Sequence, residues 1–210
     1  MIRVLVADDH AIVRSGLRRI LDQTSDIAVE GEAASSAELW PLVCEGRWDA
    51  VVLDVNLPGR SGLEMLADIK RERPELPVLI LTVYSEEQYA VRALKAGASG
   101  FLTKESAPER LIEAVRKVAQ GGHFITPEVA DRLAMSVARG NEGPPHESLS
   151  DREFQILKMI ASGKTVSQIG RELSLSVKTI STHRTRILKK MKMKTNAELT
   201  HYAIRNKLVE

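Results

Sequence analysis

A single cysteine, Cys44, occurs in 210 residues, so no disulfide can form within the chain. This fits a reducing compartment, and a lone Cys inside an apolar helix is expected as a small packed residue, not a reactive thiol. No apolar run approaches the roughly 20 residues that a membrane span needs. The opening run Ile2–Ala7 turns acidic too soon for a secretory leader, so a cytoplasmic location is expected. Internal repeats are absent. Net charge is nearly absent too, at +2, but this conceals a division. Residues 148–210 hold 13 Lys and Arg against 5 Asp and Glu, and the remainder holds 17 against 23. A basic C-terminal part points to a polyanion such as nucleic acid, and an acidic N-terminal part suits a cation. At 43% hydrophobic and 28% charged residues, the composition is that of an ordinary globular protein.

What is present is a shared placement. Asp8, Asp9, Asp54, Thr82 and Lys104 each stand just past a short run rich in Val, Leu, Ile or Phe. Such runs predict strands near 2–7, 27–33, 49–54, 77–82 and 99–103, with helices near 11–22, 35–45, 62–72, 86–96 and 107–120. Strands alternating with helices predict an α/β fold, a five-stranded doubly wound parallel sheet. The carboxyl ends of parallel strands share one edge, where open sheets bind ligands. Three carboxylates, a hydroxyl and an ammonium therefore converge. Clustered carboxylates need a counter-cation or raised pKa values, and Mg²⁺ suits hard oxygen ligands. A carboxylate such as Asp54 can act as a nucleophile toward phosphorus, with Lys104 and Thr82 contacting phosphoryl oxygens. Taken singly, each residue has an ordinary reading, since Asp-Asp pairs after strands often cap the next helix. The ordered set on separate strands favours a site. His10 reads as a cap or filler beside that site.

Gly121-Gly122 closes the fifth helix, Thr126-Pro127 opens a short helix to about Arg139, and residues 140–146 form a polar, breaker-rich linker with little reason to fold. Four short helices follow, near 150–162, 166–173, 177–191 and 195–206, the first with Ser150 and Glu153 at capping-box spacing. In the third, Val177, Ile180, Ile187, Leu188 and Met191 are expected to face a core, and Ile204 and Leu208 to pack beyond it. Lys178, Ser181, Thr182, Thr185 and Lys189 form a separate polar face that suits a major groove, though an isolated amphipathic helix more often just shows such a face to water.

Val6-Ala7-Asp8-Asp9-His10, Leu53-Asp54-Val55-Asn56-Leu57-Pro58-Gly59, Leu81-Thr82 and Gly100-Phe101-Leu102-Thr103-Lys104 resemble the receiver domain of two-component response regulators. The resemblance covers residues 1–121. It implies a flavodoxin-like receiver in which Asp54 accepts a phosphoryl group from a sensor histidine kinase. Asp9, Asp54 and the Asn56 backbone carbonyl would ligate Mg²⁺, with Asp8 acting through water. Thr82 and Phe101 match the family's switch pair. Phe101 stands where many relatives carry tyrosine, and Val83 is bulkier than the small residue usual beside the switch hydroxyl.

Leu149-Ser150-Asp151-Arg152-Glu153, Ile169-Gly170-Arg171-Glu172-Leu173 and Val177-Lys178-Thr179-Ile180-Ser181-Thr182-His183-Arg184 resemble the LuxR/NarL/FixJ helix-turn-helix over residues 148–210, which leaves 122–147 as a linker with a short helix. The resemblance implies a small all-α four-helix domain that reads double-stranded DNA. Lys178, Thr179, Arg184, Arg186 and Lys189 would contact phosphates, and Ser181, Thr182 and Thr185 would lie nearest base edges. His183 reads equally as packed or as a DNA contact. Gly170 stands where relatives often have alanine, which should weaken its helix. Together the two resemblances imply a transcription factor whose phosphorylation releases the DNA-binding unit and favours a homodimer on two-fold half-sites, with no membrane partner. Two rivals stay open. One is a phosphorylation-independent DNA binder. The other is an aspartyl-phosphate phosphatase, although such enzymes resemble a pattern with a second acid where Asn56 stands. No enzymatic activity is expected.

Overall fold

The computed structural model describes residues 1–83, 86–139 and 144–209 and divides into two compact units, Met1–Ala138 and Arg139–Glu210. Residues 140–143 of the expected linker lie outside the described residues.

In the first unit β1 (Ile2–Ala7), β2 (Ile27–Ala33), β3 (Ala50–Asp54), β4 (Val78–Thr82) and β5 (Gly100–Thr103) pair in parallel in the order β2-β1-β3-β4-β5. The connections are α1 (Ala11–Leu21), α2 (Ser36–Glu45), α3 (Gly62–Glu72) and α4 (Glu86–Lys95), with α5 (Ala107–Ala119) after the last strand. Every residue of β3 and β4 is buried, as strands covered on both faces require. Val4, Val6, Val52, Leu79, Leu81 and Leu102 pack with Leu17 and Leu21 of α1 and Leu111, Val115 and Val118 of α5. The alternate residues Leu5, Leu53, Ile80 and Phe101 are also buried and therefore face the opposite helical layer. Strand order reverses between β1 and β3, which opens a crevice at their carboxyl ends. The expected doubly wound parallel sheet is the observed one.

The edge of the sheet differs from expectation. A linker was expected from residue 122, yet Phe124 is 3% exposed and belongs to the core with Leu111 and Val118. Its N–H donates to the Ser99 carbonyl at 2.9 Å, and the Phe101 N–H donates to the Phe124 carbonyl at 3.1 Å. Phe124 thus covers an edge whose backbone groups would otherwise be unpaired. The Arg110 guanidinium lies 4.8 Å from the centre of its ring. The next helix, α6 (Pro127–Arg139), starts where Thr126-Pro127 indicated. Cys44 is exposed rather than packed. Val43 takes the core side of α2, and the next residue is turned about 100° from it.

The second unit holds α7 (Asp151–Ala161), α8 (Val166–Glu172), α9 (Val177–Met191) and α10 (Asn196–Arg205). Each starts at a Ser or Thr whose side chain accepts the amide three residues on: Ser150, Thr165, Ser176 and Thr195. Central α7 touches the other three, and Phe154, Leu157, Ile169, Ile180, Ile187, Met191 and Leu199 are buried. Three sequence readings change. Pro145–Ser148 is folded into a 3-10 turn, because the His146 ring stacks on Phe154 and its Nδ1 lies 2.8 Å from the Tyr202 hydroxyl. Val177 and Ile204 are exposed at 52% and 55%; Val177 is the first residue of α9, and Ile204 is turned about 100° from the buried Ala203. Gly170 does more than weaken its helix, because a Cβ there would meet the Leu175 carbonyl oxygen at 2.8 Å and the turn after α8 would have to shift.

Trp40 and Trp48 are the two tryptophans of the chain, and both lie in the first unit. Phe124→Ala should lower that unit's stability by about 3–5 kcal/mol, as expected for truncating a buried ring. Urea unfolding followed by tryptophan fluorescence would show a lower midpoint with an unchanged slope.

Candidate functional site

The crevice is built from four chain ends. Asp8 follows β1; its N–H donates to the Ala33 carbonyl at 3.1 Å, and its Oδ1 accepts the His10 N–H at 2.9 Å. Asp8 therefore turns the chain into α1 and also presents its second oxygen to the crevice. Asp54 closes β3. Asp8 and Asp54 are 1% and 2% exposed, whereas Asp9 points outward. The Lys104 N–H donates to the Thr82 carbonyl at 2.7 Å, which ties the end of β5 to that of β4 and fixes the root of the lysine. Its Nζ then lies 2.6 Å from Asp8 Oδ2 and 2.8 Å from Asp54 Oδ2.

This pairing is incomplete. Burial pushes the Asp54 carboxyl above its ordinary range; Lys104 opposes that, the neighbouring Asp8 adds to it, and the Asn56 backbone N–H opposes it. Burial alone would pull Lys104 down, but Asp54 and Asp8 outweigh it and hold the ammonium above its ordinary value. One fixed cation thus serves two buried carboxylates. Asp54 Oδ1 and Asp8 Oδ2 are buried without a hydrogen bond of good geometry. Asp8, Asp9, His10 and Asp54 each offer a ligand atom within 4.8 Å of the others. Three carboxylates at that spacing with a single ammonium between them fit a small hard cation such as Mg²⁺. His10 stands closer to the site than the sequence indicated, its Nδ1 being 2.6 Å from Asp9 Oδ1.

Thr82 and Phe101 are almost fully buried. Ile80 pairs with Phe101 and Thr82 with Thr103, so two-residue alternation puts Thr82 and Phe101 on one face of the sheet. Val83 is 67% exposed and points away from that core. Asn56 follows Asp54 in the loop that leads to α3.

In the second unit, Lys178, Ser181, Thr182, Thr185, Arg186 and Lys189 are exposed along α9, and Thr179 and Arg184 are half-buried. The Thr182 and Thr185 hydroxyls donate to the Lys178 and Ser181 carbonyls, both at 3.0 Å, leaving their acceptor sides outward. Arg184 Nε donates to Asn196 Oδ1 at 2.6 Å, so this arginine is braced against α10. His183 is half-buried. Helical phase brings the hydroxyls and most of the cations onto one solvent face, as the sequence indicated.

Residues 4–116 match the family described as response regulator receiver domain, and residues 147–203 match bacterial regulatory proteins of the luxR family. The response regulator UvrY of Escherichia coli is 37% identical over 209 residues, covering 99% of this chain and 96% of that protein. GacA of Pseudomonas aeruginosa is 37% identical over 211 residues, covering 100% and 99%. The chain is a LuxR-type two-component response regulator. Among solved structures, RcsB of Salmonella enterica serovar Typhimurium, bound to promoter rprA in the presence of the phosphomimetic BeF3⁻, superposes with a TM-score of 0.65. Identity is 27%, over 96% of this chain and 97% of that one. A LuxR-family regulator from Aurantimonas is 35% identical with a TM-score of 0.59, over 65% of this chain and 97% of its own. No helix among the described residues of this response regulator is long and apolar enough to cross a membrane.

Glu153 shows in the sequence as a capping-box residue of α7, but its partner on α9 carries no such signal. The Glu153 side chain is 4% exposed, and Lys190 Nζ lies 2.6 Å from its Oε2, which also accepts the Ser150 N–H at 2.8 Å. Burial would raise the Glu153 carboxyl, but Lys190 and the Ser150 N–H outweigh burial and hold it below its ordinary value. A depressed carboxyl stabilises the fold above its unfolded pKa, and that stabilisation is lost as pH falls through the folded one. Lys190→Met should therefore cost roughly 1–3 kcal/mol at pH 7, a range discounted because the lysine is partly solvated. Thermal unfolding of variant and wild type at stepped pH should show the gap closing as Glu153 protonates.

Proposed function

We propose that this response regulator takes a phosphoryl group on Asp54 from a sensor histidine kinase and thereby controls binding of its second unit to DNA. The observation that carries the reading is Asp54 itself, buried at a strand end with Lys104 on one oxygen and no hydrogen bond of good geometry on the other. A carboxylate oxygen of Asp54 attacks phosphorus; an O–P bond forms while the P–N bond of the kinase's phosphohistidine breaks, its electron pair leaving with the imidazole. Asp9, Asp54 and the Asn56 carbonyl would hold Mg²⁺, with Asp8 acting through water. Bound there, the ion offsets the charge on the phosphoryl oxygens. Lys104 turns part of its charge from the two aspartates to a phosphoryl oxygen, and the Thr82 hydroxyl donates to another. Phe101, on the same sheet face as Thr82, repacks with it. Asn56 leaves no acid in place to activate water, which supports a regulator over a phosphatase.

Residues 1–121 form the receiver, with Phe124 covering its edge, 122–147 connect, and 148–210 read DNA. Lys178, Thr179, Arg184, Arg186 and Lys189 contact phosphates on either side of the groove, and Ser181, Thr182 and Thr185 approach base edges. RcsB has been solved on a promoter in the presence of a phosphomimetic and as dimers on DNA, which supports DNA binding by a dimer; in this reading phosphorylation releases the DNA-binding unit and favours that dimer. A symmetric homodimer then requires two-fold related half-sites.

Intact mass after incubation with acetyl phosphate and Mg²⁺ should show one phosphoryl adduct that needs magnesium and is lost in Asp54→Ala. An adduct retained by that variant would name a different acceptor, and DNA affinity unmoved by phosphorylation would favour the phosphorylation-independent binder. Lys178→Ala or Lys189→Ala should weaken binding to any duplex and reduce the slope of log affinity against log salt by about 1.

A further inference from the structure

We infer that Ser36, in the first turn of α2, is a positioning residue for the metal site: it clamps the loop that carries Asn56. This rests on the reading of the Asp54 pocket given above. Two serines begin α2, and one suffices as a cap. Ser35 fills that role, its Oγ accepting the Glu38 N–H at 3.3 Å. Ser36 reaches across the fold instead. Its N–H and its hydroxyl both donate to the Pro58 carbonyl, at 3.2 and 3.0 Å, and its Oγ accepts the Arg60 N–H at 3.0 Å. Donor and acceptor sides of one hydroxyl thus bridge the residues flanking Gly59.

Ser36 is 8% exposed, so these bonds are largely shielded from water. Gly59 itself has φ +87°, and a Cβ there would sit 2.5 Å from Ser36 Oγ. The turn is therefore shaped around this hydroxyl. On the inner side of the same loop, the Gly62 N–H donates to the Val55 carbonyl at 2.8 Å. The loop is held at 55 and 62 by its own backbone and at 58 and 60 by α2. Only Val55, Asn56 and Leu57 lie between Asp54, which ends β3, and the clamped Pro58. A carbonyl ligand binds a cation well when its backbone is fixed before the ion arrives, and groups behind metal ligands commonly set affinity.

Calorimetric titration of the full chain with Mg²⁺ alone tests this, beside hydrogen exchange of the Arg60 amide without the ion. Ser36→Ala should raise the Mg²⁺ Kd about tenfold and speed Arg60 exchange, while Ser36→Thr, which keeps the hydroxyl, stays within about twofold of wild type. Alanine is a good helix former at that position, so loss of fold is not the expected route. If Ser36→Ala speeds exchange or lowers the melting temperature yet binds Mg²⁺ as wild type does, Ser36 is merely structural and the inference falls. If Ser36→Thr loses as much affinity as Ser36→Ala, the hydroxyl is not the cause and the inference falls likewise. A wild type that binds no Mg²⁺ would overturn the pocket reading and this inference together, which is distinct from equal binding by wild type and Ser36→Ala.

Discussion

Two almost fully buried carboxylates share one ammonium at the centre of the first unit, and much of its design follows from keeping that arrangement tolerable. Asp8 and Asp54 would repel each other across a crevice with little water, and removing them from solvent costs several kcal/mol each without compensation. Lys104 supplies that compensation at 2.6 and 2.8 Å. It can do so because the bond from its own amide to the Thr82 carbonyl closes the ends of β4 and β5 together. The strand order brings the β1 and β3 ends side by side, which a sequential sheet would not. A charge of one sign is left in excess, and that excess is what the site has to offer a cation.

The second unit solves a different problem with the same economy. A recognition helix must show cations and hydroxyls to solvent while being held firmly behind. Ile180, Ile187 and Met191 anchor α9 by burial, and Lys190 fastens its last turn to the buried Glu153. Neighbouring lysines therefore have separate tasks: Lys190 turns inward to a carboxylate and Lys189 stays in water. Helical phase alone separates the two, since residues adjacent in sequence point about 100° apart.

Strands, helices and their order were legible because apolar runs and Ser/Thr caps act locally, and β1 to β5 fall where the runs lie. The convergence of Asp8, Asp54 and Lys104 was legible too, because parallel topology alone brings strand ends together. Contacts made by single residues at long range left less trace. Phe124 reads as one ring in a glycine-flanked stretch, and only the position of the β5 edge reveals that it completes a core. His146 sits in a run of breakers, yet finds Phe154 and Tyr202. Cys44 and Val177 carry apolar labels that helical phase and helix ends overrule. Ser36 is hidden for another reason: beside Ser35 it looks like a redundant cap, and its partners lie 22 and 24 residues away.

The edge covered by Phe124 bears on how a change at the crevice reaches the rest of the chain. Lys104 is bound to the β4 end, and Phe101, three residues earlier, donates its amide to the Phe124 carbonyl. Two residues past Phe124, Thr126 Oγ1 accepts the Val129 N–H at 3.4 Å and starts α6. Backbone hydrogen bonds and one short strand therefore connect the residue that carries the pocket's ammonium to the first turn of α6, the last helix of this unit. A side chain can rotate without moving its neighbours, but a four-residue strand bonded on both edges shifts as a piece. A shift of the β5 backbone would thus reach Phe124 through main-chain geometry. The aromatic at position 101 adds to this strand no polar atom that would have to be re-satisfied when it moves. Phe101 is therefore held by packing and by its backbone bonds alone.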